Sequence, residues 1–189
     1  MKMVTIVSLL GGSCLLTSTL SLAEDARTPP SKETEMSVEL RTQAETRFSD
    51  LKTTADDQTR TGEERIGAIL EMATLNLTNA VDYLFENISL QIPKDHFRGD
   101  DDKLKQRPCF YVLRNKGEAT IPNVLRFLER RRNETDLMQV AKLLHAVMGT
   151  ERATRFLQDK KQQTAGDSQS VELRTNIVQV ISILSEERK

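Results

Sequence analysis

The chain has no tryptophan, and aromatic residues make up only 4% of its 189 positions. It carries just 8 glycines and 5 prolines. Turn formers and aromatics this scarce exclude the strand-and-turn pattern of β-sandwiches and barrels. There are 2 cysteines and 2 histidines. One cysteine lies in the amino-terminal apolar run, so the folded part has no partner for an internal disulfide. No Cys-x-x-Cys, His-Glu-x-x-His, phosphate-cradling glycine loop or nucleophile elbow occurs, so no cofactor is expected. An excess of one charge is missing too. The formal net charge is −1, which argues against bulk electrostatic affinity for nucleic acid or anionic membrane. What is present is 38% hydrophobic and 29% charged residues, set largely at helical spacing.

The amino terminus reads as an address. Lys2 precedes two apolar runs, Val4 to Leu10 and Leu15 to Leu22, and Ser21-Leu22-Ala23 offers small residues where a signal peptidase reads. Residues 1–23 are therefore expected to be a secretory signal, cleaved near Ala23, with a periplasmic or extracellular destination. Cleavage there removes one cation and leaves −2. The alternative is a lipoprotein signal ending at Cys14, which follows Gly11-Gly12-Ser13. Only in that case is a membrane partner expected. Cys109, between Pro108 and Phe110, reads as a small buried hydrophobe rather than a reactive thiol.

Residues 24–61 read as a polar leader. Thr28-Pro29-Pro30-Ser31 is a stiff opening. Val38, Leu40, Ala44, Phe48 and Leu51 then predict one solvated helix from about residue 33 to 54, lying against the body or floating free. Asp56 to Gly62 lacks apolar residues and reads as linker. Residues 62–189 are the expected folded domain. Ile66, Ile69, Leu70, Ala73 and Leu77 lie on one helical face, and Ala80, Val81, Leu84 and Ile88 continue the spacing. Poor helix formers at Thr74, Asn76, Thr78 and Asn79 predict two helices with a tight turn between them. Residues 89–107, with Pro93 and Gly99-Asp100-Asp101-Asp102, read as a loop insertion. From Pro108 a short helix runs to Gly117, and Ile121-Pro122 opens the next. That second helix is expected to end in Glu129-Arg130-Arg131-Arg132. Leu137 to Val147, Glu151 to Gln158 and Val171 to Leu184 follow as further helices.

A pattern recurs: a small apolar residue, two others, an aromatic, then leucine. It reads Ala80, Tyr83, Leu84, then Val124, Phe127, Leu128, then Ala153, Phe156, Leu157. Helix pairs spaced roughly 30–45 residues apart are the units of helical solenoids. Gly117-Glu118-Ala119-Thr120-Ile121-Pro122-Asn123-Val124-Leu125, followed by Phe127-Leu128, resembles the turn and second helix of HEAT-like repeats. Gly149-Thr150-Glu151-Arg152-Ala153 with Phe156-Leu157 looks like a degenerate copy. The resemblance implies an all-α fold, a short α-solenoid of about three stacked helix pairs, whose helix faces bind other proteins. An irregular antiparallel helix bundle is the alternative.

Two kinds of site follow. Arg126, Arg130, Arg131 and Arg132, with Lys116, form a basic cluster that suits an anionic partner or complements a helix dipole. His96 and Phe97 add candidate partner contacts from the loop. The expected function is therefore an exported, non-catalytic interaction module whose partner is another protein. The alternative is a small enzyme or metal-dependent binder using His96 and Asp100 to Asp102, hard oxygens that suit calcium. His145, mid-helix, reads as structural. Asn76-Leu77-Thr78, Asn87-Ile88-Ser89 and Asn133-Glu134-Thr135 fit the glycosylation acceptor pattern, the first two inside expected helices.

Overall fold

Thr61 shows how local chemistry sets the helix ends. Its hydroxyl accepts a hydrogen bond from the Glu64 backbone N–H at 3.2 Å, and the Glu64 carboxylate accepts from the Thr61 backbone N–H at 2.9 Å. This reciprocal capping box starts a helix at Gly62. The backbone N–H and hydroxyl of Thr61 hold the Glu64 carboxyl below its ordinary range. Asn133 caps its helix likewise, accepting from the Asp136 N–H at 2.8 Å. Gly149 ends that helix with φ +77° and Gly117 ends another with φ +60°, conformations open to a residue without Cβ.

The computed structural model describes residues 32–93, 106–130 and 132–186. Among them all regular structure is helical: α1 Lys32–Asp56, α2 Gly62–Met72, α3 Thr78–Glu86, α4 Pro108–Lys116, α5 Ile121–Leu128, α6 Glu134–Met148, α7 Thr150–Gln163 and α8 Val171–Glu186. Short 3-10 turns at Gly117–Thr120 and Ser168–Ser170 complete it. The chain is all-α, as its composition predicts. None of these helices is long and apolar enough to cross a membrane.

The helices pack in a definite order. α1 lies on α2; α2 touches α4, α4 touches α6 and α6 touches α8. On the other side α3 packs on both α4 and α5, while α7 packs between α6 and α8. The buried side chains form one cluster running from Leu51 on α1 to Leu184 on α8. The recurrent triplet supplies much of it. Ala80, Leu84, Val124, Leu128, Ala153 and Leu157 are at most 1% exposed.

The carboxyl half of α1 belongs to this body. Leu51 and Ala55 join the core, Arg65 Nε donates to the Ala55 carbonyl at 2.9 Å, and Arg47 forks onto Glu71 at 2.7 and 2.9 Å. Thr42, Thr46, Thr53 and Thr54 return their hydroxyls to the carbonyl four residues back, which accommodates so many threonines in one helix. On α2 the buried face is centred on Ile66, Ile69 and Met72, so Leu70, expected inside, is 43% exposed. The tight turn expected around Thr74 to Asn79 is present: α2 ends at Met72, α3 begins at Thr78, and Asn76 sits between them at φ +42°. Asn87, expected inside a helix, instead ends α3.

Asn176 on α8 is buried and donates to the carbonyls of Leu128 and Arg130, each at 2.8 Å. These carbonyls close the end of α5, where the helix cannot satisfy them itself. Asn176→Leu removes both donors, and urea denaturation is expected to show a loss of about 1–3 kcal/mol. Thr61→Ala is expected to cost about 1 kcal/mol in the same measurement.

Candidate functional site

Short helices that stack leave their remaining polar faces side by side, and here those faces carry opposite charges. α3 presents Asp82 and Glu86, one turn apart. Arg126 on α5 and Arg130, two residues past its end, have the same four-residue spacing. Arg126 meets Asp82 at 3.4 Å and Arg130 meets Glu86 at 3.2 Å, each across 44 residues of sequence. The same offset relates Ala80, Tyr83 and Leu84 to Val124, Phe127 and Leu128. The two helices are joined by a ladder of ion pairs at one constant offset. Separately, Arg152 on α7 ties to Glu118 in the Gly117–Thr120 turn at 2.6 Å.

Arg132 anchors the ladder. Its side chain is only 8% exposed. Its guanidinium lies 3.5 Å over the Phe127 ring, and its Nε donates to the Phe127 carbonyl at 2.7 Å. Its two terminal nitrogens fork onto Glu86 at 2.6 and 2.9 Å. The fork and stack are what a planar guanidinium does and an ammonium does not. Arg132 therefore acts at the end of α5 as a cap and a tie to α3. The Arg132 hydrogen bonds hold the Glu86 carboxyl below its ordinary range against the opposing effect of burial.

Between α1 and α3 an open groove of about 400 Å³ is lined by Phe48, Lys52, Asn79, Asp82, Tyr83 and Asn87, with Arg130 at one end. Phe48 meets Tyr83 edge to face at 6.4 Å. The Tyr83 hydroxyl donates to Asp56 at 2.6 Å, and the Lys52 ammonium sits 3.2 Å from Asp56 and 5.9 Å from the Tyr83 ring. Burial, reinforced by the bond to Asp56, raises the Tyr83 phenol, so it stays a proton donor. Its charged side chains are committed to neighbours within the fold. Asn79, by contrast, lies exposed on the α3 wall.

The sequence-based candidates divide. Arg126, Arg130 and Arg132 come together, on the carboxylates of α3. Arg131, His96, Phe97 and Asp100 to Asp102 lie outside the described residues, as does Cys14. The insertion's ends meet, since the Ile92 N–H donates to the Gln106 carbonyl at 3.0 Å and Ser89 donates to Asp136 at 2.6 Å. Cys109 is fully buried, and burial pushes its thiol up to about 12, which removes thiolate reactivity. His145 is exposed and shares a 2.7 Å hydrogen bond with Thr150. Among the described residues no three acidic, His or Cys side chains gather as a metal site. The groove between α1 and α3 escapes a reading of the sequence alone, because it needs α1 docked. The one available signal is the paired i, i+4 spacing of Asp82/Glu86 and Arg126/Arg130.

No family model matches the chain, and neither a curated protein nor a solved structure shows significant similarity to it.

Glu86→Gln is expected to lower stability by about 1–2 kcal/mol at pH 7, a figure reduced because Glu86 is partly open to solvent. The pH dependence has a fixed sign. The folded carboxyl is depressed, so its contribution is present above the unfolded value of about 4.3 and fades as pH falls through that region. Denaturation curves of the parent chain and Glu86→Gln are expected to converge only once the pH lies below the depressed folded range of Glu86.

Proposed function

We propose that this chain is an exported, non-catalytic helical-repeat module that binds another protein through the groove between α1 and α3. The observation that carries the reading is the 44-residue equivalence of α3 and α5, with matching buried triplets and cross-helix ion pairs. Units related in this way stack side by side and leave elongated surfaces along their outer helices. The contact order α2–α4–α6–α8 supports the solenoid arrangement over an irregular bundle. The resemblance of residues 110–157 to HEAT-like repeats points the same way.

Two features support a protein segment as occupant. The groove is open rather than a deep pocket, and its lining combines the Phe48–Tyr83 aromatic pair with polar residues that include Asn79. Aromatic anchors with satisfied polar surroundings are the composition that protein interfaces favour. The ionisable groups beside them are bound into ion pairs and hydrogen bonds, which suits a scaffold and not a proton-transfer centre. Export rests on residues 1–23, whose pattern is that of a cleaved signal.

The test is peptide selection with mapping. A displayed peptide library is panned on the purified chain, and bound peptides are located by NMR amide shifts. The reading expects shifts at Phe48, Lys52, Asn79 and Asp82, and at least tenfold weaker binding to Asn79→Arg, which fills the groove from an exposed position. Peptides that map elsewhere, or that bind Asn79→Arg equally well, contradict it. For export, expression with the natural amino terminus in a secreting host should yield a chain starting at Glu24.

A further inference from the structure

Glu86 on α3 is claimed by two arginines. Arg132 takes both carboxylate oxygens, at 2.6 and 2.9 Å, from a side chain that is only 8% exposed. Arg130 adds one contact at 3.2 Å, to the oxygen that Arg132 holds at 2.9 Å, and its side chain is 72% exposed. A fork from a buried guanidinium outweighs a single exposed contact, because open ion pairs contribute little. The Glu86 charge is therefore spent on Arg132, and Arg130 is left over.

The neighbouring groups pair one to one, Arg126 with Asp82 and Lys52 with Asp56. Counted with their partners, the ionised groups lining the groove are four cations, Lys52, Arg126, Arg130 and Arg132, against three carboxylates, Asp56, Asp82 and Glu86. This local excess stands in a chain whose net charge is −1. The fold uses the backbone of Arg130 and not its guanidinium: the Arg130 carbonyl accepts from Asn176 at 2.8 Å. The side chain instead lines the groove that holds the Phe48–Tyr83 pair.

We propose that Arg130 selects the occupant of this groove by its charge. The occupant is an internal acidic segment of another protein, with an Asp or Glu carboxylate on Arg130 and an apolar side chain on Phe48 and Tyr83. The assignment rests on the groove being the binding surface and adds the chemistry of what binds there. Arg130 can turn to an incoming carboxylate at little cost, since Arg132 stays on Glu86. Its planar fork of N–H donors matches a carboxylate in two parallel bonds. The surplus is one charge, and one carboxylate cancels it. A phosphate brings about −1.5 to −2, which would stand partly uncompensated beside Asp82 and Glu86. A basic segment would add to the excess.

Peptide display tests the assignment. A library of internal segments is panned on the purified chain and on Arg130→Glu. The parent should enrich Asp or Glu at one position near an apolar residue, and Arg130→Glu should lose that enrichment or select Lys or Arg there. The leading peptide is then synthesised with both ends blocked, so that no terminal carboxylate can substitute. In calorimetry, replacing its acid by the amide should weaken binding about fivefold or more, as should Arg130→Gln. The two changes together should cost little more than either alone, since each removes the same pair. Arg130 is exposed, so circular dichroism should show Arg130→Gln folded like the parent. Peptides without an acidic preference, equal binding to Arg130→Gln, or fully additive losses overturn the assignment. If such peptides still fail to bind Asn79→Arg, the groove remains the binding surface and only the acidic occupant falls. Peptides that map outside the groove overturn both.

Discussion

Helix length is the constraint on which the rest depends. α3, α4 and α5 have 9, 9 and 8 residues, and helices that short do not persist alone in water. Each must bury a face on a neighbour. The repeating triplet does this with the least machinery: a small residue lets two helices approach, the leucine fills the interior, and the aromatic covers the edge. Phe85 and Phe127 meet at 5.6 Å between centroids, where α3 and α5 come together. With the apolar faces committed, the polar faces of α3 and α5 are held side by side. The charge ladder is then a consequence of stacking as well as a support for it.

Arg132 shows how one side chain ties these levels together. It satisfies a carbonyl at the end of α5, covers Phe127 and neutralises Glu86. Those roles explain why a run of arginines follows the helix without making it simply a basic surface. Asn176 completes the same helix end from α8, at the other limit of the sequence. α5 is the shortest helix and is held from both sides. The Tyr83–Asp56 bond plays the matching part for α1, tying its carboxyl end to α3 beside the groove.

Much of this was legible in the sequence. The triplet located the buried faces of α3, α5 and α7, and Gly117, Gly149 and Pro108 marked helix ends because their backbone chemistry leaves few alternatives. The spacing of Leu40, Ala44, Phe48 and Leu51 marked an apolar stripe on α1, though Val38, counted with it, is exposed. Its docking was harder to see, because the residues that secure it, Arg65, Tyr83 and Glu71, are distant in the chain and polar. Leu70 misled, since a periodic stripe does not say which edge of the face a neighbour covers. The arginine cluster was visible as charge, yet its carboxylate partners stand 44 residues upstream, and sequence periodicity alone does not pair them. The insertion's residues carried the metal-binding alternative, and those residues lie outside the described structure.

The central claim is that stacking, not intrinsic helix stability, holds the short helices. Native-state hydrogen exchange addresses it residue by residue. The account predicts that interior amides of α3, α4 and α5 exchange as slowly as those of the longer α6, through the same opening of the whole core. Amides at residues 37–43 of α1, all exposed, should exchange far faster. If α3 and α5 instead exchange by local fraying while α6 remains protected, the stacked repeat is not the source of their stability, and the account fails.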